Sequence, residues 1–216
     1  MYNDIVNKRK VEVEVMEIVN GLIVDFDKND KDLVIPKEVI GADYAVYNLM
    51  CVEGFDSITV EEGNEHFYMQ AGCLIWRDKK ALMLAVKGAK IPADGSVTQI
   101  AGGAFMYREE LKEIEIPSAI EKINYDAFAN TGLEKVTLNE GLKELDAYAF
   151  ANNDNLKELT IPKSVKKIYK YKILEQVDLM TEYGYKNKTY IVYKNSYAHG
   201  WVKRNGLKYK LVDENK

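Results

Sequence analysis

The chain has 216 residues, of which 47% are hydrophobic, 30% are charged and 4 are proline. This is the composition of a globular protein, and it excludes collagen-like, mucin-like and disordered chains. The formal net charge is only -4. From Lys163 onward, however, 13 Lys and Arg face 5 Asp and Glu, so the C-terminal part is basic. The two cysteines, Cys51 and Cys73, exclude a disulfide framework.

No segment of the sequence has the pattern of a membrane anchor or an export signal. The longest unbroken apolar run covers residues 81–86, whereas a membrane-spanning helix needs about 20 apolar residues. Residues 1–19 alternate charged and β-branched side chains and lack the apolar centre of a signal peptide. We therefore expect no membrane insertion and favour a cytoplasmic location, with the cell surface or secretion as the alternative.

The N-terminal residues predict a β-hairpin. Val11 to Ile18 alternate apolar residues with glutamate, and Asn20-Gly21 is a two-residue turn signal before Leu22. A repeat structure needs such a cover on its first unit. We therefore predict an N-terminal cap hairpin over residues 1–32.

The acidic loop that follows permits two interpretations. Its carboxylates could hold a weakly bound calcium ion, but the loop lacks the glycine and the bidentate glutamate of an EF-hand, which favours a solvated turn. The residues concerned are Asp25, Asp27, Asp30 and Asp32.

A repeat of 22 to 23 residues fills the middle of the chain. Each copy contains an alternating Leu-x-x-Ile-x-Ile segment, which predicts a short half-buried strand, and an Ala-Phe pair. One copy cannot bury these residues by itself, so the copies are expected to stack. Stacking would form an internal ladder from the three Ala-Phe phenylalanines, Phe105, Phe128 and Phe150.

The full pattern, Leu-x-x-Ile-x-Ile-Pro-x-x-Val-x-x-Ile-x-x-x-Ala-Phe, resembles the BspA-type leucine-rich repeat family over Ile91 to Ile168. The resemblance implies a single, elongated, mainly β leucine-rich repeat solenoid with short helical or 3₁₀ segments. We expect about five to six coils and a cap at each end. One departure concerns a position where the family often has cysteine, three residues after the phenylalanine. This chain has Arg108, Thr131 and Asn153 there.

The resemblance also implies how the rest of the chain is divided. We expect the repeat region over residues 33–173, beginning with a degenerate coil at Leu33. The family's hairpin-bearing insertion is matched at about residues 64–90, and its strand, short helix and strand ending is matched within a C-terminal cap over residues 174–216.

Catalytic chemistry finds little support in the sequence. Cys73 and His66 could form a thiol nucleophile and its base, but the strand pattern around Cys73 favours a small buried side chain. Gly102-Gly103 lacks the context of a phosphate-binding loop and is predicted to lie in the tight part of a coil. We predict no catalytic, cofactor or metal site.

The outward positions of the repeat strands should form rows. Glu113, Lys135 and Glu158 alternate in sign, which predicts attraction between neighbouring coils. These strand rows contain no aromatic residue to anchor a partner.

The basic C-terminal part interleaves aromatic and cationic residues, which suits an anionic partner. The alternative, which we favour, is a cap that buries its tyrosine rings while its lysines stay in water. The candidate partner-binding residues are Tyr171, Tyr185, Lys186, Tyr193, Trp201, Lys203 and Arg204.

The family resemblance implies a non-enzymatic, adhesion-type or protein-binding module without a cofactor. The pattern specifies neither the identity of the protein partner nor the oligomeric state. The alternative function is binding of an anionic polymer, RNA or acidic glycan, through the basic tyrosine-rich segment.

Overall fold

The structure is a computed structural model that describes residues 16–169 and 187–213. It is a β-solenoid of about eight turns with few helices, which confirms the predicted fold class. The expected five to six coils were too few. The C-terminal cap strands continue the stack without a clear copy of the repeat, so counting copies in the sequence underestimates the turns.

Strands are short throughout the described chain, and each of the two helices follows a strand. The strands are β1 Glu17–Val19, β2 Leu22–Asp25, β3 Asp32–Ile35, β4 Gly41–Ala42, β5 Ser57–Val60, β6 Phe67–Gln70, β7 Cys73–Trp76, β8 Ala81–Ala85, β9 Gln99–Ile100, β10 Glu113–Ile116, β11 Lys122–Ile123, β12 Lys135–Leu138, β13 Glu144–Asp146, β14 Glu158–Ile161, β15 Lys167–Tyr169, β16 Thr189–Val192 and β17 Tyr209–Leu211. The helices are α1 Tyr44–Glu53 and α2 Tyr197–Arg204.

Each regular coil contributes two strands, and equivalent strands of successive coils pair in parallel. One line contains β10 and β12, with Glu113 opposite Lys135 and Ile116 opposite Leu138. The other line runs from β9 through β11 and β13 to β15. Residues one repeat apart therefore lie side by side, both inside the solenoid and on its surface.

The predicted phenylalanine ladder is confirmed. The ring centroids of Phe105 and Phe128 lie 4.9 Å apart, and those of Phe128 and Phe150 lie 5.2 Å apart, with interplanar angles of 17° and 10°. All three rings are buried. The ladder therefore forms the centre of the larger hydrophobic core.

The positions where the family often has cysteine carry hydrogen bonds here. The Thr131 hydroxyl donates to the Asn153 side-chain oxygen, and the Asn153 amide donates to the Phe128 carbonyl at 2.7 Å. Arg108 reaches back one coil and donates to the Ala85 carbonyl at 2.8 Å. These bonds satisfy polar groups that burial would otherwise leave unpaired.

The N-terminal hairpin is present in the described residues. β1 and β2 pair antiparallel, and both turn residues have positive φ, 51° at Asn20 and 78° at Gly21, as a type I′ turn requires. β2 also pairs in parallel with β4, so the hairpin is joined to the first coil. Val11 to Val15 lie outside the described residues, and the boundary at residue 32 stays a prediction.

The insertion forms three strands where the sequence predicted a hairpin. β6, β7 and β8 form an antiparallel meander, and β8 pairs in parallel with β9. The meander thus extends the second line of strands into a seven-stranded sheet. The described residues form a second hydrophobic core at the N-terminal end, and the meander contributes side chains to both cores. Cys73 and Ile75 belong to the larger core, whereas Leu74 and Leu84 belong to the N-terminal core.

Helix α1 was not predicted. Asp43 caps its start by accepting from the Ala45 amide at 2.9 Å, and Gly54 ends it with φ 62°. The helix packs on Gly103, where a Cβ atom would lie 2.9 Å from the Cys51 side chain. Close helix packing therefore explains Gly103, whereas at Gly102 a Cβ atom would lie 2.9 Å from the Tyr125 carbonyl oxygen of the next coil.

The C-terminal end matches the expected strand, helix and strand. β16 pairs in parallel with β14 and with β17, and α2 lies between β16 and β17 in the chain. The side chain of Ser196 caps α2 by accepting from the His199 amide at 3.1 Å. The cap therefore extends the strand ladder beyond the last regular coil.

Two carboxyl groups lie within the coil stack. Burial raises the pKa of Asp126 and of Asp146 from the ordinary 3.8 to about 6. Asp146 accepts from the Tyr148 amide at 2.9 Å, and nearby Lys122 acts in the opposite direction by lowering the Asp146 pKa.

Phe128→Ala should lower the free energy of unfolding by about 3–5 kcal/mol, because it removes the middle ring of the ladder. Chemical denaturation of both proteins measures the loss. Tyr107→Ala, at an exposed aromatic position of a neighbouring coil, is the control and should have a small effect. Equal losses in the two variants would contradict the structural role of the ladder.

Asp146→Asn should raise the free energy of unfolding by on the order of 1 kcal/mol near pH 7.5 and leave it nearly unchanged near pH 4. The native carboxyl, with its raised pKa, binds its proton more strongly than the unfolded one, so its contribution to stability is complete at low pH. That contribution is lost as the pH rises through about 6. Asparagine keeps an oxygen for the Tyr148 amide.

The measurement is chemical denaturation at both pH values, with the exposed Asp154→Asn as the control. A stability difference between Asp146→Asn and the parent protein that does not depend on pH would contradict the raised pKa.

Candidate binding surface

Three of the candidate residues, Tyr171, Tyr185 and Lys186, lie outside the described residues. Their place in a binding surface stays a prediction. Of the other four, Trp201, Lys203 and Arg204 lie on α2, and Tyr193 directly follows β16.

Trp201 anchors α2 to the body of the protein. Its side chain is 5% exposed, and its ring meets the Tyr190 ring edge-on with centroids 5.8 Å apart. The tryptophan ring is therefore part of the core beneath the helix, and a partner at the surface would not reach it.

Lys203 and Arg204 occupy the last turn of α2 and are exposed. Cations at this end of a helix interact favourably with its dipole. The Arg204 guanidinium lies 5.9 Å from the centroid of the exposed Tyr197 ring. The helix thus presents an aromatic ring together with two cations.

Tyr193 lies just after β16, on the turn that leads to α2. The Lys163 ammonium lies 4.7 Å from the centre of its ring. This contact joins the end of the last regular repeat strand to the C-terminal cap.

The structure adds residues that the sequence analysis did not select. The Lys167 ammonium lies 4.2 Å, and the Lys122 ammonium 5.7 Å, from the centroid of the Tyr169 ring. Helix α2, which begins at Tyr197, packs on β15, which begins at Lys167. Lys122 and Lys167 each directly precede an inward-facing Ile at equivalent positions of the repeat. The repeat spacing in the sequence could therefore have predicted that both lysines lie in one row on the surface.

We name these neighbouring groups the C-terminal basic surface, and Tyr169 is its central ring. Glu144 accepts from the Tyr169 hydroxyl at 2.7 Å and lies 3.7 Å from the Lys122 ammonium. The Tyr169 hydrogen bond is the main cause of the lowered pKa of Glu144. The C-terminal basic surface consists of Lys122, Lys167, Tyr169, Tyr197, Lys203 and Arg204.

The strand rows of the other line pair their charges internally. Glu113 lies 3.5 Å from Lys135, and Glu158 lies 2.7 Å from Lys210. The predicted attraction is confirmed between the coils that contain β10 and β12. Glu158 of β14 pairs instead with Lys210 of the cap strand β17.

The structure separates Cys73 from His66. His66 accepts a backbone hydrogen bond from Arg77, while Cys73 pairs with Gln70 at the other end of the β6–β7 hairpin. Cys73 is buried, and burial raises its pKa to about 12. The two groups therefore cannot act as a nucleophile and its base.

The acidic loop uses its carboxylates locally. Asp27 accepts from the Asn29 amide at 2.8 Å, and Asp30 accepts from the Asp32 amide at 2.8 Å. Across residues 16–169 and 187–213, no group of three or more His, Cys, Asp or Glu side chains is placed to hold a metal ion. In these same ranges neither helix is long and apolar enough to span a membrane.

Cys73 should react with iodoacetamide at pH 7 far more slowly in the folded protein than a free thiol does, because its thiol is buried and its pKa is raised. The measurement is the alkylation rate of Cys73 by mass spectrometry. Val34→Cys, at an exposed strand position, provides a reactive control thiol in the same fold. Rapid labelling of Cys73 that slows in His66→Ala would contradict this arrangement.

Comparison with known proteins places this architecture in a family. Residues 83–199, more than half of the chain, match the BspA type Leucine rich repeat region in six copies. No curated protein matches the sequence.

Two solved structures show the same fold. The pneumococcal vaccine antigen PcpA is 20% identical with a TM-score of 0.60, and the match covers 88% of this chain and 57% of that chain. A leucine rich cell surface protein from Faecalibacterium prausnitzii A2-165 is 20% identical with a TM-score of 0.50, covering 82% and 50%. The chain thus spans about half the length of these two structures. With the family match, the stacked coils and the phenylalanine ladder, the chain belongs to the BspA-type leucine-rich repeat family.

Proposed function

We propose that this protein is a non-enzymatic, adhesion-type binding module that recognises an acidic surface of a protein partner through the C-terminal basic surface, together with Tyr193. The observation that carries the proposal is the alternation of cations and tyrosine rings around Tyr169 and Tyr197. The leucine-rich repeat scaffold supports a protein-binding role. The proposal holds for either a cytoplasmic or a cell-surface location.

The side chains of this surface are of the types that dominate binding energy. Tyrosine and arginine are enriched among the residues whose truncation weakens protein interfaces most. Tyr197 is 39% exposed, and Lys167 and Arg204 are exposed beside it. The strand rows offer no comparable anchor, since their outward residues are short or already paired.

The charge of the surface favours an acidic partner. Lys122, Lys167, Lys203 and Arg204 are cationic, and Glu144 is the carboxylate bonded among them. Complementary charge accelerates encounter and suppresses binding of basic competitors. The acidic N-terminal body of this chain has the matching sign, so self-association is a competing outcome in binding experiments.

The second candidate function is binding of an anionic polymer, RNA or acidic glycan, by the same residues. Aromatic rings alternating with cations are also suited to polyanions, because rings stack on bases or sugars while cations neutralise charge. The two functions differ in salt dependence, since each neutralised phosphate releases a counterion.

The triple variant Lys167→Glu, Lys203→Glu, Arg204→Glu should lose a partner that the parent protein captures from extracts and surface fractions of its source organism. Quantitative mass spectrometry of the captured proteins is the measurement. The control is a second triple variant, Lys28→Glu, Lys37→Glu, Lys87→Glu. It changes the net charge by the same amount at exposed sites that are distant in sequence from the proposed surface, and it should still capture the partner. Equal capture by both triple variants would contradict the proposed surface.

Heparin and poly(U) columns test the second candidate. Retention of the parent protein that falls steeply between about 50 and 200 mM salt, and that the C-terminal triple variant lacks, would support polymer binding. Such retention, together with a failure of the parent protein to capture any protein, would contradict the protein-binding proposal. Light scattering of the parent protein across a concentration series identifies self-association.

A further inference from the structure

An apolar cavity of about 450 Å³ lies at the N-terminal end of the protein, away from the C-terminal basic surface. It is enclosed between the β2–β4 sheet, helix α1 and the face of the meander that serves the N-terminal core. Its inner wall includes side chains from all three, namely Ile23, Met50, Phe67, Leu74 and Leu84.

The cavity is closed at its base and open at a hydrophobic rim. Ile23, Met50 and Leu84 are buried. By contrast Leu22, Ile40 and Tyr44, which also line it, are 38%, 42% and 80% exposed. These three are among the large apolar side chains that the described chain leaves in water, and all belong to one mouth. A molecule entering from solvent therefore passes an apolar rim.

The lining offers no partner to a charged group inside the cavity. None of the lining residues is Asp, Glu, Lys, Arg or His. The hydroxyl of Tyr47 donates to backbone carbonyls, at 2.8 Å from the Met83 oxygen and 3.1 Å from the Gly102 oxygen. Tyr44, at the rim, offers a hydroxyl near solvent. Water inside would find few partners, and water occupies a cavity only where polar groups hold it.

The sequence creates the space through two small residues. Gly41 and Ala42 form β4, and a Cβ atom at Gly41 would stand 3.2 Å from the Leu22 side chain. Successive side chains of a strand point to opposite faces, so Gly41 lies beside Leu22 at the rim and Ala42 lies beside the buried Ile23. A larger side chain at Ala42 would therefore enter the space that Ile23 lines.

We propose that this cavity is a binding site for a neutral lipid, whose hydrocarbon part fills the apolar interior and whose uncharged polar group lies at the rim near Tyr44. The destabilisation caused by an empty apolar cavity grows with its volume. An engineered apolar cavity of about 150 Å³ stays dry and binds benzene. The cavity here is about three times larger and lies within the range of small-molecule sites.

The test uses N-phenyl-1-naphthylamine, an uncharged fluorescent probe of apolar sites, with the full chain. We expect saturable binding of one probe per chain and its displacement by monoolein. Ala42→Phe should weaken probe binding by about tenfold or more, because the ring occupies the volume that the probe needs. Val34→Phe adds the same ring on the exposed side of β3, outside the cavity lining, and should leave probe binding unchanged.

Met83→Trp fills the cavity from the meander side and provides a second test if Ala42→Phe fails to fold, which circular dichroism detects.

Absence of saturable binding, or equal binding by the filled and parent proteins, would overturn the proposal. Binding that appears only after deletion of residues 1–15 would also overturn it, because the chain's own N-terminal segment would then be the occupant. Loss of binding as protein concentration rises would assign the cavity to a second copy. Because none of these variants alters the C-terminal basic surface, this result is independent of the partner-binding experiment.

Discussion

Stacking at a spacing of 22 to 23 residues is the constraint on which the rest of the structure depends. One coil supplies a single phenylalanine and two short strands, which is too little to enclose a core. Parallel pairing places Ile114 beside Val136, and the same spacing brings the phenylalanine rings to 4.9 and 5.2 Å. Because each coil is buried only by its neighbours, the exposed ends and any interruption of the stack have to be covered by other elements.

The meander meets this requirement inside the chain. Its strands have both faces covered, with Ile75 in the larger core and Leu74 in the N-terminal core, so it acts as a wall between the two. Helix α1 connects across this wall, since Cys51 rests on Gly103. The Arg108 guanidinium bonds to the Ala85 carbonyl of the meander and lies against Gly54 at the end of the helix. The meander and the elements of the N-terminal core do not repeat every 22 to 23 residues, so they pack against each other less regularly than successive coils do. The apolar cavity lies at this junction.

The same spacing orders the charges outside the solenoid. Lys122, Glu144 and Lys167 precede equivalent inward residues of successive coils, and parallel pairing sets them in one row. Tyr169 follows in the last coil and bonds to Glu144, which holds its ring between the lysines. In the other line the charges neutralise one another in pairs such as Glu113 with Lys135. The row of Lys122, Glu144 and Lys167 also contains an ion pair but has one more cation than carboxylate, which leaves positive charge beside Tyr169 near the C-terminal cap.

The amino-acid sequence alone determined the family, the phenylalanine ladder and the strand, helix and strand of the cap, because each is a pattern that repeats or a motif that is continuous in the chain. Of the candidate surface residues, Lys203 and Arg204 are exposed, and their role in binding stays a prediction. Tyr171, Tyr185 and Lys186 stay predictions. The tertiary structure decided that Trp201 is buried against Tyr190, that α1 covers Gly103, and that a cavity opens beside β4. Each of these features depends on a contact that occurs once in the structure and not in every coil. Such a contact produces no repeating pattern in the sequence from which it could be predicted.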